Sequence, residues 1–231
     1  MKNRFLEGSL NPVELIKSIR FKSNFLAEHP DYFEPEGLLV FCGAQGAGKT
    51  LSAVQYCLRI LEQYPKCLFV SNVAIEGVPN PERVYPYEGL DSLKNFENGY
   101  SGVLYLIDEI HLEWNSLESK SISIEEMIEF AQQRKQRKHI VGTSQVYGRI
   151  AKPLREQIRR AVLCKNYFGL VQVNDEIDGF NTVEKDGKLQ TDSLHKYFWF
   201  HRPTLYGCYD TYAKMGRYKK EWNGHARNPS L

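Results

Sequence analysis

Short apolar runs alternate with amphipathic segments along most of this chain of 231 residues. Apolar side chains recur at helical spacing from Ala53 to Leu61 and over residues 123–137, so helices are predicted from about Lys49 and from Ser123, where an S-x-x-E capping box opens the second one. Strands that alternate with helices predict an α/β fold with a mainly parallel central sheet. The runs that have the composition of buried strands are 38–42, 67–70, 103–107, 140–145 and 161–164.

The first 36 residues precede this alternation. Asn11 followed by Pro12 predicts the start of an amphipathic helix, whose apolar positions include Val13, Leu15 and Ile16. Two interpretations stay open for this helix. It is either an arm that packs on the core or an arm that contacts another subunit.

From residue 166 the pattern changes to short strands rich in aromatic residues, predicted at Tyr167–Val173 and Tyr197–Phe200. Asp186-Gly187 between them is a hairpin turn signal. These features predict an antiparallel extension at the edge of the sheet. The expected division is therefore a helical arm, a core, a β-rich extension of the core and a basic tail, at 1–36, 37–165, 166–212 and 213–231.

The first predicted strand leads into a glycine-rich segment that fits the phosphate-loop pattern GxxxxGKS/T at every fixed position. The glycines let the backbone wrap closely and point N–H groups at phosphate oxygens, and the following helix presents its positive dipole end to the same anion. Lys49 is expected to reach the β- and γ-phosphates of ATP, and the Thr50 hydroxyl to bind Mg²⁺. The predicted nucleotide-binding residues are Gly43, Gly46, Ala47, Gly48, Lys49, Thr50 and Leu51. With this loop, the expected fold is the three-layer sandwich of P-loop NTPases.

A second motif follows the strand at 103–107, where the apolar run ends in two carboxylates. This is a Walker B pattern. Asp108 is placed to hold Mg²⁺, directly or through water, and Glu109 to orient and deprotonate a water that attacks the γ-phosphate. A solvated strand end is the alternative, but the phosphate loop upstream favours the catalytic interpretation.

The strand at 140–145 ends in polar residues. Because ligands bind in the crevice at the carboxyl edge of an α/β sheet, Gln145, together with Ser144, is a candidate for sensing the γ-phosphate or positioning the attacking water. The alternative is a polar cluster that forms a turn.

Charge is segregated along the chain. Residues 104–129 hold seven acidic residues and one lysine, whereas residues 134–160 hold nine basic residues and one glutamate. The basic block can contact the phosphate backbone of a nucleic acid, or supply an arginine finger to the ATP of a neighbouring subunit. The alternative is a solvated helix face whose cations complement the helix dipole. The net charge of the whole chain is only +2, so global charge identifies no partner.

The cysteines and the hydropathy pattern bear on the compartment. The five cysteines include no CxxC pair, which favours reduced thiols over disulfides or zinc sites. No apolar run approaches the ~20 residues that a membrane span needs, and the polar start is unlike a signal peptide. We therefore expect a soluble protein of the cytoplasm, which is the host-cell cytoplasm if the protein is viral.

The ordered set of motifs, over roughly residues 38–212, resembles the additional-strand P-loop ATPases of the FtsK/HerA group. Within that group it is most similar to the Zot-type assembly ATPases of filamentous phages and to viral DNA-packaging ATPases. Zot-type proteins carry an IDEAH stretch, an Arg/His-bearing helix end, an hxTQ strand and a later YDS/T segment. They usually continue into a membrane segment, and the glutamine in this chain lies one residue later than theirs. The corresponding segments are Ile107–His111, Arg134–His139, Thr143–Gln145 and Tyr209–Thr211.

The resemblance implies a Mg²⁺-dependent ATPase subunit that works as a ring, pentameric or hexameric, and moves or packages viral or mobile-element DNA. ATP would lie between subunits, with Arg134 and Arg137 as first choices for the arginine that acts in trans, ahead of Arg149, Arg155 and Arg159. A portal, capsid or assembly protein is a further expected partner. Three alternatives stay open: a soluble ATPase that secretes or assembles phage protein, a small-molecule kinase, and a nucleotide-gated interaction module without significant turnover.

Overall fold

The computed structural model of the chain describes residues 11–113, 131–185 and 188–214. The helices in these ranges are α1 (Pro12–Glu28), α2 (Lys49–Gln63), α3 (Ser92–Asn95), α4 (Ile110–Glu113), α5 (Lys152–Arg155) and α6 (Pro203–Gly207). The strands are β1 (Leu38–Cys42), β2 (Leu68–Ser71), β3 (Val73–Ile75), β4 (Val84–Pro86), β5 (Val103–Ile107), β6 (Lys138–Ser144), β7 (Ile158–Tyr167), β8 (Val171–Asp178), β9 (Val183–Lys185), β10 (Lys188–Gln190), β11 (Ser193–Phe200) and β12 (Tyr209–Lys214).

Eight of these strands form one mixed sheet in the order β11-β8-β7-β1-β6-β5-β2-β4. The six strands from β7 to β4 are parallel, and β8 and β11 continue the sheet in antiparallel fashion. β1 lies between β6 and β7, with Leu38 opposite both Ile140 and Ile158. The predicted α/β fold with a mainly parallel sheet and a C-terminal antiparallel extension is confirmed.

Both faces of the sheet are covered, which explains why the central strands are apolar throughout. On one face, β1 packs through Leu39 and Phe41 against Ala53, Val54 and Cys57 of α2. On the other face, its remaining side chains join a cluster with residues that follow β5 and β6. The result is a three-layer arrangement in which the strand ends, and the loops that follow them, lie at the two open edges.

The strand bounds differ from the predictions chiefly in the extension. The prediction of one strand at Tyr167–Val173 is wrong, because β7 ends at Tyr167 and β8 begins at Val171. The chain turns at Phe168 and Gly169, both of which have positive φ (56° and 68°). A phenylalanine in that conformation gives no turn signal, so the aromatic run appeared continuous.

The predicted helix at 123–137 falls mostly outside the described residues, as do the Asp186-Gly187 turn and the tail beyond Lys214. The described end of that helix reaches residue 132, and residues 133–137 form turns before β6. β12 extends to Lys214 by pairing with β3, and the division of the chain into an arm, a core, an extension and a tail stays a prediction.

α1 begins as predicted, since the Asn11 side chain accepts a hydrogen bond from Val13 N at 3.0 Å. The helix has no buried residue, and Leu15, Ile16 and Ile19 are each more than half exposed. Ring contacts at its C-terminal end, from Phe25 to Tyr32 and Tyr100, join it to the core. Within the described ranges, Leu15, Ile16 and Ile19 of α1 are therefore uncovered.

Within the described ranges, no helix combines the length and the apolar character that crossing a bilayer requires.

His139 is a buried titratable residue at the start of β6, although the resemblance groups it with a helix end. Its Nδ1 donates to the carbonyl oxygen of Gly37 at 2.7 Å, and its Nε2 accepts from the Tyr56 hydroxyl at 3.0 Å. The neutral ring satisfies both partners, whereas the charged ring would face the Tyr56 oxygen with a second donor. Burial lowers the pKa of His139 to about 4.

We expect the protein to lose stability as the pH falls from 6.5 to 4. Between these two pH values the histidine is protonated in the unfolded chain but stays neutral in the folded protein. This difference at His139 alone should lower the free energy of unfolding by roughly 3 kcal/mol at pH 4. Urea unfolding from neutral pH to pH 4 measures this loss for the native chain and for His139→Gln. The variant should be less stable at neutral pH but show a flatter pH dependence; an equal dependence in both proteins would contradict the assignment.

Candidate nucleotide-binding site

The candidate site lies at the carboxyl edge of the parallel sheet. Because β1, β2, β5 and β6 run in the same direction, the residues that follow them meet at this edge. The phosphate loop follows β1, Asn72 follows β2, Asp108 and Glu109 follow β5, and Thr143 lies at the end of β6. The structure thus brings together the two motifs that the sequence separates by about 60 residues.

The phosphate loop has the backbone that its glycines predict. Gly48 has φ of 77° and immediately precedes α2, which begins at Lys49. A Cβ at Gly43 would lie 2.8 Å from the carbonyl oxygen of Cys164, so a side chain there would displace the neighbouring strand. Lys49 is 7% exposed, and its ammonium group donates to the carbonyl oxygen of Ala44 in the loop at 3.1 Å. The lysine is therefore held inside the loop to which a phosphate would bind.

Asp108 is the centre of a compact set of oxygen atoms. The hydroxyls of Thr50 and Thr143 both donate to Asp108 Oδ1, at 2.8 and 2.7 Å, and Glu109 N donates to the Thr143 hydroxyl at 2.9 Å. A hydroxyl and a carboxylate in contact are the hard oxygen ligands that Mg²⁺ prefers beside nucleotide phosphates. The donor set of Thr50 and Asp108 therefore fits the predicted Mg²⁺ site.

Asp108 is positioned by two further residues, Asn72 and Thr143, which the sequence interpretation did not select. The Asn72 side chain bonds both backbone groups of Asp108, since its amide donates to the carbonyl oxygen at 3.0 Å and its oxygen accepts from N–H at 2.8 Å. Thr143, rather than its neighbour Ser144 or Gln145, contacts the carboxylate. The available signal for Asn72 was a polar residue at the exit of a buried strand, the same signal that selected Gln145.

Gln145 lies one residue beyond the end of β6, and its side chain is exposed. Ser144 is buried and donates to the carbonyl oxygen of Val146 at 2.9 Å. The proposed role of Gln145 as a γ-phosphate sensor stays a prediction.

Glu109 adopts φ of 56° directly after β5 and lies beside a buried histidine. His111 Nε2 is 3.2 Å from Glu109 Oε2, and His111 Nδ1 is 3.4 Å from the Ser144 hydroxyl. Burial lowers the pKa of His111, and the positive charges of Arg149 and Lys49 act in the same direction, whereas Glu109 opposes them. Glu109 is thus connected to the exit of β6.

The antiparallel extension contacts the phosphate loop directly. Gln172 on β8 is fully buried, and its amide donates to the carbonyl oxygen of Ala47 and to Asn174 Oδ1, each at 2.9 Å. Its oxygen lies 3.2 Å from His201 Nε2 and occupies the space that a Cβ at Gly48 would need. The alternation along β8, which lies between β11 and β7, gave no reason to place a glutamine against the loop, so the sequence interpretation missed this contact.

The candidate arginines lie at different places. Arg134 and Arg137 precede β6, so they lie at the amino edge, across the sheet from Thr50 in the same chain. The Arg137 guanidinium donates to Phe33 O and to the Tyr32 hydroxyl, at 3.0 and 2.7 Å, and it stacks on the Tyr32 ring. Arg134 is exposed. An action of either residue in trans stays a prediction.

The basic block is divided by the fold. Lys138 and Arg160 are held by partners within the chain, through a bond of Lys138 to Leu93 O and ion pairs of Arg160 with Glu36 and Glu176. The exposed basic residues of the block are Arg134, Lys135, Arg149, Lys152 and Arg159. These five residues are accessible to solvent, and Lys152 Nζ also lies 3.9 Å from Glu156 Oε1.

No family model matches the chain, and a search of curated proteins finds no significant match. Among solved structures, the N-terminal domain of zonular occludens toxin from Neisseria meningitidis is similar over 75% of this chain and 98% of its own, at 16% identity and a TM-score of 0.49. A second solved structure, an ATPase domain, is similar over 88% of this chain and 98% of its own, at 8% identity and a TM-score of 0.49.

The genome packaging NTPase B204 from Sulfolobus turreted icosahedral virus 2, in complex with AMPPCP, covers 58% of this chain and 78% of its own, at 12% identity and a TM-score of 0.44. These neighbours include both classes that the ordered motifs resemble. At such identities and TM-scores, function has to be inferred from the residues of this chain.

Replacing Gln172 tests whether the extension supports the phosphate loop. Gln172→Glu keeps the size of the side chain but sets a carboxylate against two acceptor oxygens in a fully buried position. We expect it to lower the free energy of unfolding by at least about 2 kcal/mol and to weaken ATP binding. Asn166→Asp is the matched control, because Asn166 also bonds a loop carbonyl, Gly46 O, but at 3.3 Å and in an exposed contact. Equal, small effects of both variants would refute the supporting role.

Proposed function

We propose that this protein is an ATPase, and the observation that carries the proposal is the hydrogen-bonded set of Thr50, Asp108 and Thr143 beside the phosphate loop. A glycine-rich turn that occurred by chance would not be expected to place the Thr50 hydroxyl, which follows Lys49, in contact with the Asp108 carboxylate 58 residues away. The same contact joins a nucleotide-binding loop to an acid that can hold a metal ion, which is the minimal apparatus for phosphoryl transfer.

In this proposal the loop backbone and Lys49 bind the phosphates of ATP. Lys49 would exchange its bond to Ala44 O for a phosphate oxygen, which needs only a rotation of its side chain. Thr50 and Asp108 would hold Mg²⁺, which supplies charge neutralisation to the phosphates when bound. Asn72 fixes the backbone of Asp108, so the carboxylate is oriented before any ligand arrives.

Glu109 is the proposed general base. It would accept the proton of the water that attacks the γ-phosphate, while Gln145 would orient that water or sense the phosphate. The backbone N–H of Glu109 donates to the Thr143 hydroxyl, which itself donates to Asp108. The base and the metal-binding acid are therefore held through one shared hydroxyl.

Glu109→Gln should bind ATP with nearly native affinity and lose turnover by about 10²- to 10⁴-fold, because an amide cannot accept the proton. Steady-state phosphate release and binding of a fluorescent ATP analogue measure the two effects separately. Lys49→Ala is the control that should lose binding as well. A Glu109→Gln protein that hydrolyses ATP at the native rate would remove Glu109 from this role.

We further propose that the subunits assemble into a ring, pentameric or hexameric, in which a neighbour's arginine completes the site. Support comes from α1, whose apolar side chains Leu15, Ile16 and Ile19 have no cover in the described chain. An isolated helix of this length is marginal in water, so contact with a second copy would stabilise it. Among the candidate arginines, exposed Arg134 is better placed to reach a neighbour than Arg137, which is bound to Tyr32 and Phe33. Light scattering of Glu109→Gln with bound ATP measures the mass of the assembly, and so the number of subunits in the proposed ring.

The proposed work of the ring is translocation or packaging of viral or mobile-element DNA. The exposed bases of the block can neutralise backbone phosphates, so we expect added DNA to raise the ATPase rate and rising salt to abolish the stimulation steeply. Steady-state ATPase assays with single- and double-stranded DNA at several salt concentrations measure this response.

Arg149→Ala with Lys152→Ala should reduce the salt slope, whereas Arg59→Ala with Lys66→Ala, at exposed positions outside both the block and α1, is the matched loss of one arginine and one lysine. Stimulation by a protein partner and by no nucleic acid would favour the phage protein-assembly ATPase instead. Negligible turnover of the assembled protein would favour the nucleotide-gated module.

A further inference from the structure

The contacts of Glu109 continue into the protein through a buried histidine that the proposed chemistry does not yet use. His111 is 7% exposed and is the second residue of α4, directly after Ile110. Ile110 is fully buried against Gly142, where an added Cβ would come within 2.5 Å of its side chain. This close packing fixes the start of α4 on β6, and so fixes where the His111 ring lies.

The hydrogen-bonding possibilities of the ring determine its role. An ionised Glu109 can only accept, so the proton at the 3.2 Å contact belongs to His111 Nε2. At the opposite side of the ring, Nδ1 lies 3.4 Å from the hydroxyl oxygen of Ser144, whose single hydrogen is donated to Val146 O. The ring therefore contacts the Glu109 carboxylate on one side and packs against the exit of β6 on the other.

We propose that His111 is a positioning residue that orients the Glu109 carboxylate for proton transfer through the 3.2 Å contact of its Nε2 with Glu109 Oε2. The inference rests on the proposed ATPase function. The Glu109 side chain is only about a quarter exposed and Nε2 of the buried His111 ring lies 3.2 Å from its Oε2, so a donor fixed by packing determines which carboxylate oxygen stays free for the water.

His111→Phe tests the proposal because it keeps a flat buried ring and removes both nitrogens. We expect kcat to fall about 10- to 100-fold, the range found when outer-shell partners of reactive groups are lost, while KM for ATP and the affinity for a fluorescent ATP analogue change less than about 3-fold. His111→Gln can still donate to Glu109 and should recover part of the loss. His195→Phe, an exposed histidine on β11, is the matched control and should leave kcat unchanged.

A second comparison separates orientation of Glu109 from a general structural effect. In the Glu109→Gln background, adding His111→Phe should cost little of the residual turnover, because the group that His111 orients is already lost. An equal fold-loss of kcat from His111→Phe in both backgrounds would overturn the proposal. So would an unfolding midpoint of His111→Gln low enough that the loss of folded protein accounts for its fall in kcat. If the native protein turns over ATP and His111→Phe does so at the same rate, this inference alone fails. If the native protein shows no turnover, the proposed function fails with it.

Discussion

The site depends on one shared hydrogen-bond acceptor. Asp108 Oδ1 receives the hydroxyls of Thr50 and Thr143, so the phosphate loop after β1, the acid after β5 and the end of β6 are joined at a single oxygen. These groups come from the neighbouring strands β1, β6 and β5, which are parallel. Their arrangement is therefore a consequence of the parallel sheet, because parallel neighbours bring their exits to the same edge.

The fold and the central part of the site could be predicted because their signals are local. The five apolar residues of β1 and the glycines after them report a buried strand and a tight loop within a few positions of sequence. Asp108 likewise follows its strand directly. Asn72 and Gln172 could not be found in this way, because the importance of each lies in a contact with a residue far along the chain, Asp108 or Ala47, that no local pattern encodes.

The charge pattern illustrates the same limit. Residues 134–160 form a basic block in sequence, but β6 runs through it, and its seven residues span roughly 23 Å. Arg134 and Arg149 are therefore at opposite edges of the sheet, while Lys138 is buried inside it. A linear count of charge predicts a surface only when the residues share one element and one face, and neither condition holds here.

The extension changes how the phosphate loop should be understood. A loop that binds polyphosphate through backbone N–H groups must keep those groups aimed inward when no ligand is present, and its own glycines favour many other conformations. Gln172 and Asn166 bond carbonyl oxygens on the outer side of this loop, and Gln172 fills the space beside Gly48. β8 and β11 are strands of the same sheet as β1, and His201, which follows β11, contacts Gln172 at 3.2 Å. The support of the phosphate loop therefore extends from β8 to the residue that follows the edge strand.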